Sequence, residues 1–401
     1  MGGKAWIFCK SKKMAKNLLS KKLLFLVLFI LFLYLVIFFA KIGERTLARM
    51  VVSKIAENSI RCDTLTPNWM PMLLKEIIQK DDILTNQIVY IDSQRNKYSC
   101  ISSSSIFKVK NTNYDTRFRY ASLTKVLTHY AILDLAKQKK INLEENFIKY
   151  FPELHDFKDQ RIKKIKVIDL LQHRAGFDFK QSQDPFFDFK KKPWCPYNIH
   201  YLTKIKLDYD PDKQYQYDNR NTCLLGALIE RITGKSLREY FISQYDLNTY
   251  NVKFSEGNSF VDEVKYDYIN SYFIDEKMIK KIDFYALSAV GGLTGSAQNL
   301  AQLLHTIFTN SDLDVFAISE KAATQCQLNN FKTCNGVVFR SYQKSEDLPK
   351  MYYRIGSLGP ASSLLAVTEK KEIIVWVGNG FNRRIEQHFI DQYLYEHVIR
   401  E

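Results

Sequence analysis

The chain has 401 residues, of which 46% are hydrophobic and 25% charged, a composition of folded proteins that argues against extensive disorder. That length allows one large domain or two closely packed ones. The formal net charge of +15 at pH 7 would suit an anionic partner, although a lysine-rich proteome explains the same excess equally well.

The chain begins with a basic tail and a long apolar run. Residues 1–22 contain seven lysines and no acidic residue, and residues 23–40 are unbroken apolar sequence. Eighteen helical residues span roughly 27 Å, about the thickness of the hydrocarbon core. We therefore predict a cytoplasmic tail over 1–22 and a transmembrane signal anchor over 23–40. A cleaved signal peptide is the alternative, but its apolar region would be unusually long.

The lysine asymmetry predicts the topology of the rest of the chain. By the positive-inside rule the N-terminus stays in the cytoplasm. The chain is then expected to cross the cytoplasmic (inner) membrane once, and the remainder to be periplasmic or otherwise extracytoplasmic. Nucleic acid is then a poor fit as a partner. Residues 41–66 are expected to form a juxtamembrane stem, and residues 67–401 the functional domain.

Six cysteines lie beyond the predicted anchor, and an even number in an exported chain permits disulfides. Cys326 and Cys334 flank a short polar turn, so we expect these two to pair; the other pairings stay open. The chain has no C-x-x-C motif and its seven histidines are scattered, so no metal site is expected.

The apolar patterns predict strands near both ends of the domain and helices between them. Residues 177–215 are rich in aromatics with few regular signals, which is typical of a packed loop that could wall a cleft. This order favours an α+β fold, with a central antiparallel sheet flanked by helices and a mostly helical lobe. The predicted elements are helix 69–79, strands 87–92 and 98–103, a helix opening near 122, helix 221–232, a helix after 291, strands 337–342, 352–357, 362–368 and 373–378, and helix 386–398.

Ser122-Leu-Thr-Lys125 and Tyr217-Asp-Asn219 are the most informative motifs of the chain. A serine hydroxyl is a poor nucleophile at neutral pH unless a neighbouring group accepts its proton. Residues i and i+3 lie on one face of a helix, so Lys125 can reach the Ser122 hydroxyl. A helix that opens at Ser122 would also favour developing negative charge there.

Both motifs occur elsewhere in the chain, and their surroundings decide between the copies. S-x-x-K also occurs at Ser105 and at Ser341, and Y-x-N also occurs at Tyr268. Ser105 lies in a serine-rich stretch and Ser341 precedes an acidic turn, so neither opens a helix. Tyr268 is interpreted as part of a turn.

Four motifs in order give the chain a resemblance to a known family. Beside Ser122–Lys125 and the 211–219 stretch ending in Tyr-Asp-Asn, residues 170–176 read Leu-Leu-Gln-His-Arg-Ala-Gly and 291–297 read Gly-Gly-Leu-Thr-Gly-Ser-Ala. Over about residues 80–400 the chain resembles the serine β-lactamase and penicillin-binding protein superfamily, most of all its class C β-lactamase-like branch. The resemblance implies a β-lactamase/DD-peptidase-like fold.

The resemblance also implies roles for the motif residues. Ser122 would be the acylated nucleophile, Lys125 its proton-relay partner, and Tyr217 the general base toward Ser122 or toward water. Asn219 would hydrogen-bond the substrate amide. His173 falls in a motif that is structural in this family, so it is expected to matter for folding rather than chemistry.

The family's third motif, Lys-Thr-Gly or His-x-Gly, is matched here by residues 353–357, with Arg354 in place of Lys or His. Gly356 and Ser357 are expected to contribute to substrate binding, and the N–H groups of Ser122 and Ser357 to form the oxyanion hole. Arg354 is expected to bind a substrate carboxylate, because a guanidinium grips it with two parallel hydrogen bonds.

The sequence thus predicts a membrane-anchored serine hydrolase that needs no cofactor and cleaves an amide or ester outside the membrane. D-alanyl peptides of the cell envelope, or small esters and amides, are the expected substrates. Two alternatives stay open: a penicillin-binding sensor that is acylated without turnover, and a catalytically inactive family member. The sequence leaves the true substrate and the oligomeric state undecided.

Overall fold

The computed structural model describes residues 4–103, 112–257, 259–267, 276–382 and 388–399. The chain divides into two compact units, Met1–Lys54 and Ile55–Glu401. The first unit is helical, and its described residues belong to α1 (Lys4–Asn58). Within the described part of the chain, no helix combines the length and the apolar stretch that a membrane crossing requires. The anchor over residues 23–40 therefore stays a prediction.

The second unit is built on a seven-stranded sheet in which every neighbouring pair is antiparallel. The strands are β1 (Arg61–Cys62), β2 (Asn86–Ile91), β3 (Lys97–Ser102), β7 (Arg340–Tyr342), β8 (Met351–Leu358), β9 (Ala361–Thr368) and β10 (Ile373–Gly378). They are arranged in the order β1-β3-β2-β10-β9-β8-β7. The predicted sheet, made from both ends of the domain, is confirmed.

The β2–β3 hairpin shows how local chemistry sets the register. Asp92 Oδ1 accepts hydrogen bonds from the backbone N–H groups of Gln94 and Asn96, at 2.9 and 2.8 Å. A short side chain that bonds its own following backbone stabilises a tight turn. A disulfide between Cys62 and Cys100 then joins β1 to β3, so the end of the predicted stem is part of this unit.

Helices cover both faces of the sheet. The remaining elements are strands β4 (Phe118–Arg119), β5 (Lys253–Phe254) and β6 (Leu293–Gly295), and helices α2 (Trp69–Asp81), α3 (Thr124–Lys137), α4 (Val167–Leu171), α5 (Asn219–Thr233), α6 (Leu237–Tyr245), α7 (Glu276–Ile279), α8 (Ala297–Thr309), α9 (Val315–Ala322) and α10 (Phe389–Leu394). One apolar cluster joins α2 and α10 to one sheet face, around the fully buried Trp376. A larger cluster joins α8 and the helical lobe to the other face. The α+β prediction is confirmed.

The predicted elements differ from the observed ones mainly at the edges. The strand expected over 337–342 is only Arg340–Tyr342, because a turn bonds Gly336 N to Phe339 O at 3.0 Å. The closing helix begins at Phe389 and ends in a wider π-turn, Tyr395–Ile399; part of its predicted range lies outside the described residues. The alternative motif copies at 105 and 268 also lie outside them.

Two disulfides belong to the helical lobe and the segment before β7. Cys326 and Cys334 are paired, as predicted. Cys195 pairs with Cys223 on α5, which ties the irregular 177–215 segment to the helix that begins at Asn219. Spacing alone left this pairing open, because the two cysteines meet only through the tertiary fold.

Candidate active site

The backbone around Ser122 presents its hydroxyl at the start of a helix. Ser122 lies in a 3₁₀ turn, Ala121–Leu123, that leads directly into α3. The preceding Ala121 has φ of 48°, a left-handed conformation that non-glycine residues rarely adopt. Lys125 Nζ lies 3.0 Å and Tyr217 Oη 2.7 Å from Ser122 Oγ. The structure thus brings the three predicted catalytic side chains into one hydrogen-bonded cluster.

Lys125 is buried, and its surroundings favour the neutral amine. Nζ donates a hydrogen bond to Val290 O at 2.8 Å. Burial, and next the nearby Arg354 charge, hold the pKa of Lys125 well below its usual range, while Asp184 and Asp218 act in the opposite direction. A neutral amine can accept the Ser122 proton, which a permanently charged ammonium cannot.

Tyr217 is expected to rest as the protonated phenol. Burial raises the pKa of Tyr217, although the Arg354 charge and the hydrogen bond with Ser122 oppose the shift. A phenol with a raised pKa is a better proton donor or relay than a resting base. Its role as general base stays a prediction, and Lys125 is the stronger candidate in the resting site.

His173 holds Tyr217 from behind and does not reach Ser122. The two rings pack with centroids 4.7 Å apart. His173 Nδ1 lies 3.1 Å from Asp218 O and 3.4 Å from Asn221 Nδ2. His173 also has a left-handed backbone, with φ of 54°. These contacts are those of a packing residue, which accords with the structural role that the resemblance implies.

Asn219 is oriented by a residue that the sequence did not single out. Its Nδ2 donates to Asp184 Oδ2 at 2.7 Å, which leaves the amide oxygen as an acceptor for a substrate N–H. Asp184 is buried and also accepts from Phe186 N at 3.0 Å. The Asp-Pro pair at 184–185 is a recognisable turn signal, but the sequence offered no sign of its contact with Asn219.

Strand β8 approaches the nucleophile without room for a side chain at Gly356. A Cβ atom there would lie 2.6 Å from Tyr120 O, 2.2 Å from Ser363 Oγ and 3.2 Å from Ser122 N. Ser363 Oγ donates to Tyr120 O at 2.7 Å, which joins β9 to the same turn. The close approach sets the spacing between the strand and the Ser122 backbone.

We expect Gly356→Ala to lower kcat/KM by about 100-fold, because the added methyl pushes β8 away from Ser122 and misplaces the site. Steady-state hydrolysis of an activated ester measures the loss. A matched change at Gly234 (φ 68°), whose Cβ would meet nothing within 4 Å, should cost some stability but little activity. Full activity of Gly356→Ala would show that the strand can shift without consequence.

Ser122 opens into a cleft of about 420 Å³. Tyr217, Arg354 and Ser357 line it together with Ser122, whereas Asn219 and Gly356 are not among its lining residues. The aromatic segment contributes Phe179, Lys180 and Tyr215, so it does wall the cleft. The other lining residues are His173, Gln216, Lys332, Asn335, Gly336, Phe339, Arg340, Tyr353, Ile355 and His388.

The cleft contains a second arginine that sequence reasoning missed. Arg340 Nη2 donates to Tyr215 Oη at 2.8 Å, and Arg354 Nη1 donates to Val338 O at 2.6 Å. Arg340 pairs with Tyr353 across β7 and β8. The strand was predicted, but its side-chain orientation depends on a register that a short edge strand does not reveal. No group of three metal-ligating side chains occurs among the described residues.

A comparison with protein-family models matches residues 102–384 to the family described as Beta-lactamase. This range includes all seven predicted site residues and more than half of the chain. The chain belongs to the β-lactamase family. Membership confirms the resemblance to the serine β-lactamase and penicillin-binding protein superfamily, and the placement in a class C-like branch stays a resemblance.

Relatives in the β-lactamase family carry different names. A putative fimbrial assembly protein FimD, serogroup D, of Dichelobacter nodosus is 35% identical over 292 residues, which cover 72% of this chain and 73% of that protein. The D-amino acid amidase of Ochrobactrum anthropi, in complex with L-phenylalanine amide, aligns with a TM-score of 0.64 at 17% identity, covering 82% of this chain and 95% of the other. A beta-lactamase/D-alanine carboxypeptidase from Pseudomonas syringae gives 0.61 at 14% identity, covering 82% and 98%. The two structural matches establish the β-lactamase fold.

Proposed function

We propose that this β-lactamase-family protein is a membrane-anchored serine hydrolase that works through an acyl-enzyme on Ser122. The observation that carries the proposal is the hydrogen-bonded cluster in which Ser122 Oγ lies 3.0 Å from Lys125 Nζ and 2.7 Å from Tyr217 Oη. A nucleophile within reach of both a proton acceptor and a proton donor is the arrangement that covalent catalysis requires.

Acylation begins when Ser122 Oγ attacks the substrate carbonyl carbon and its proton passes to neutral Lys125. The carbonyl electron pair moves to oxygen, where the N–H groups of Ser122 and Ser357 would stabilise it. The tetrahedral intermediate collapses as the bond to the leaving nitrogen or oxygen breaks. The leaving group takes a proton from Tyr217, and the proton held by the Lys125 ammonium then restores the Tyr217 phenol.

Deacylation repeats the sequence with water as the nucleophile. Water attacks the ester carbonyl and its proton passes through Tyr217 and Lys125 to the departing Ser122 oxygen. The acid product leaves, and the lysine is again neutral. Burial lowers the pKa of Lys125 and raises that of Tyr217, so it favours the neutral amine and the protonated phenol from which the next cycle would begin.

The proposed substrates are amides or esters of D-alanyl peptides in the cell envelope. The names of the amidase and carboxypeptidase structures support this class, and so does Arg354, which can bind a terminal carboxylate in the cleft. The proposed location, outside the cytoplasmic membrane behind an anchor over residues 23–40, is supported by the apolar run and by the lysines that precede it.

The test is active-site labelling of the full chain in membranes with a fluorescent penicillin and a fluorophosphonate. We expect one adduct per chain, mapped to Ser122 by peptide mass spectrometry and absent in Ser122→Ala. Ser341→Ala, in the other described S-x-x-K sequence, is the matched control and should still label. An adduct retained by Ser122→Ala, or no adduct with either probe, would overturn the proposal.

As the pH is lowered, kcat/KM for an amide substrate should decrease in two separate steps. Burial raises the pKa of Asp184 to about 6, so protonation of this carboxylate weakens its bond to Asn219 as the pH drops through that value. Protonation of Lys125 removes the base in a separate step, at a pH below the usual lysine range, because burial lowers its pKa. The Asp184→Asn variant has no carboxyl group to titrate at this position. Its pH profile should lack the step near pH 6 and keep the step caused by protonation of Lys125. An unchanged profile would disprove the role of Asp184.

A second candidate function comes from the fimbrial relative, which shares 35% identity over most of both chains. In this role the domain would assist fimbrial assembly and would be acylated without turnover, or not at all. Burst kinetics separate the candidates: one equivalent of released product followed by a steady rate indicates a hydrolase, and a burst without a steady rate indicates an acylated, non-hydrolysing protein.

A further inference from the structure

The cleft beside Ser122 is lined by positive charge alone. Four cationic side chains line it: Lys180, Lys332, Arg340 and Arg354. Among the described residues no aspartate or glutamate does so. Lysines at a rim are solvated and cost little, but Arg340 and Arg354 are partly buried in the cleft wall, where an unpaired charge is expensive.

Neither arginine forms an ion pair at contact distance with a carboxylate within the described ranges, although the Arg340 charge acts on the buried Asp391. Arg354 bonds the carbonyl of Val338, and Arg340 bonds the phenol of Tyr215. Each guanidinium has five N–H donors, so both retain donors for a ligand. Burial lowers the pKa of Arg354 to about 10, and the nearby Arg340 charge adds a smaller effect in the same direction.

Arg340 is held in place by contacts that suit an anion-binding group. Its guanidinium lies over the Tyr215 ring, with 5.6 Å from the guanidinium carbon to the ring centroid. Tyr215 accepts the hydrogen bond of Arg340, so its own hydroxyl proton is left to donate. A fixed guanidinium next to a phenol donor forms a cradle for carboxylate or phosphate oxygens.

We propose that the cleft has a second anion subsite, made by Arg340 and Tyr215, and that the preferred substrates carry two negative charges on the leaving-group side. Arg354 takes the first negative charge and Arg340 with Tyr215 the second. The ligand is therefore a dicarboxylate or a phosphate-bearing leaving group. The inference rests on the proposed hydrolase function, because it names the substrate class of that same site.

The experiment compares four N-acetyl-D-alanyl esters that differ only in the leaving group. Lactamide is neutral, lactate has one carboxylate, malate has two, and 2-hydroxyethyl phosphate has one nearly dianionic group. We expect kcat/KM for at least one dianionic ester to exceed that for lactate by about ten- to hundred-fold, the worth of one charge-assisted subsite. Preference for malate identifies a dicarboxylate, and preference for the phosphate ester identifies a phosphate.

The decisive variant is Arg340→Met. In this variant kcat/KM for the dianionic ester, divided by kcat/KM for the lactate ester, should drop to about one. Arg354→Met should instead lower kcat/KM for both the dianionic ester and the lactate ester. Arg231→Met, which loses an exposed ion pair with Glu153 outside the cleft, is the matched control and should keep the wild-type ratio. Equal loss on all four esters in Arg340→Met would overturn the inference, since Arg340 would then only support β7. A wild-type ratio near one would overturn it too.

Calorimetry on Ser122→Ala separates this inference from the hydrolase proposal. Without the nucleophile the esters stay intact, and their dissociation constants can be measured directly. Tighter binding of a dianionic ester than of the lactate ester would support the second subsite even if the wild-type protein hydrolyses none of them. Equal affinity would reject it even if hydrolysis by Ser122 is demonstrated. If Arg340→Met fails to fold, Tyr215→Phe supplies the same comparison with a smaller expected loss.

Discussion

Lys125→Met should slow acylation of Ser122 by roughly two to four orders of magnitude while the protein remains folded. The amine is buried and its pKa is held well below the usual range, so the variant loses a proton acceptor rather than a paired charge. Methionine fills a similar volume without a polar group to satisfy, which limits the cost in stability. Stopped-flow acylation with a chromogenic ester and thermal unfolding measure the two effects.

The control for this variant is Lys344→Met, in the S-x-x-K sequence that begins at Ser341. Lys344 Nζ lies 2.7 Å from Glu396 in a partly exposed ion pair, an interaction that contributes about 1 kcal/mol or less. Its acylation rate should equal that of the wild type. If Lys125→Met also acylates at the wild-type rate, the base must be another group, and Tyr217 becomes the first candidate.

Tyr217→Phe should reduce turnover by roughly 100- to 10,000-fold, because the leaving group loses its proton donor and Ser122 loses one of two hydrogen-bond partners. The loss should be larger for amides than for esters with good leaving groups, since an expelled amine must be protonated. Parallel measurement of kcat/KM on an anilide and on a nitrophenyl ester of the same acyl group tests this difference.

Tyr250→Phe is the matched control for the loss of a phenol hydroxyl. Tyr250 donates to Thr306 Oγ1 at 2.8 Å, and neither residue lines the cleft. It should retain wild-type rates on both substrates. Equal losses on the anilide and the ester in Tyr217→Phe would mean that the phenol positions Ser122 and does not protonate the leaving group.

The sequence predicted those helices and strands whose own residues show a clear hydrophobic pattern. Strand Ile373–Gly378 has the same bounds in the structure as in the prediction, because it is continuous apolar sequence buried on both faces. The cluster at Ser122 was also predictable, since Lys125 follows at helical spacing and the Tyr217 motif has recognisable neighbours.

Contacts made only by tertiary folding could not be predicted in the same way. The hydrogen bond from Asn219 to Asp184 joins a helix start to an irregular segment, and no periodicity connects them. Arg340 enters the cleft because of the β7–β8 register, and a one-residue slip would turn it to the other face. The positive lining of the cleft is therefore a property of the folded protein.

The position of β10 has a consequence for how the protein folds during synthesis. This strand comes near the end of the chain, yet it lies between β2 and β9, and Trp376 Nε1 donates to Asn86 across 290 residues of sequence. While the polypeptide emerges from the ribosome, β2 and β9 lack the strand that lies between them. The domain can complete its sheet only after nearly all of its sequence has emerged, so the unfolded chain needs protection from aggregation until synthesis is almost finished.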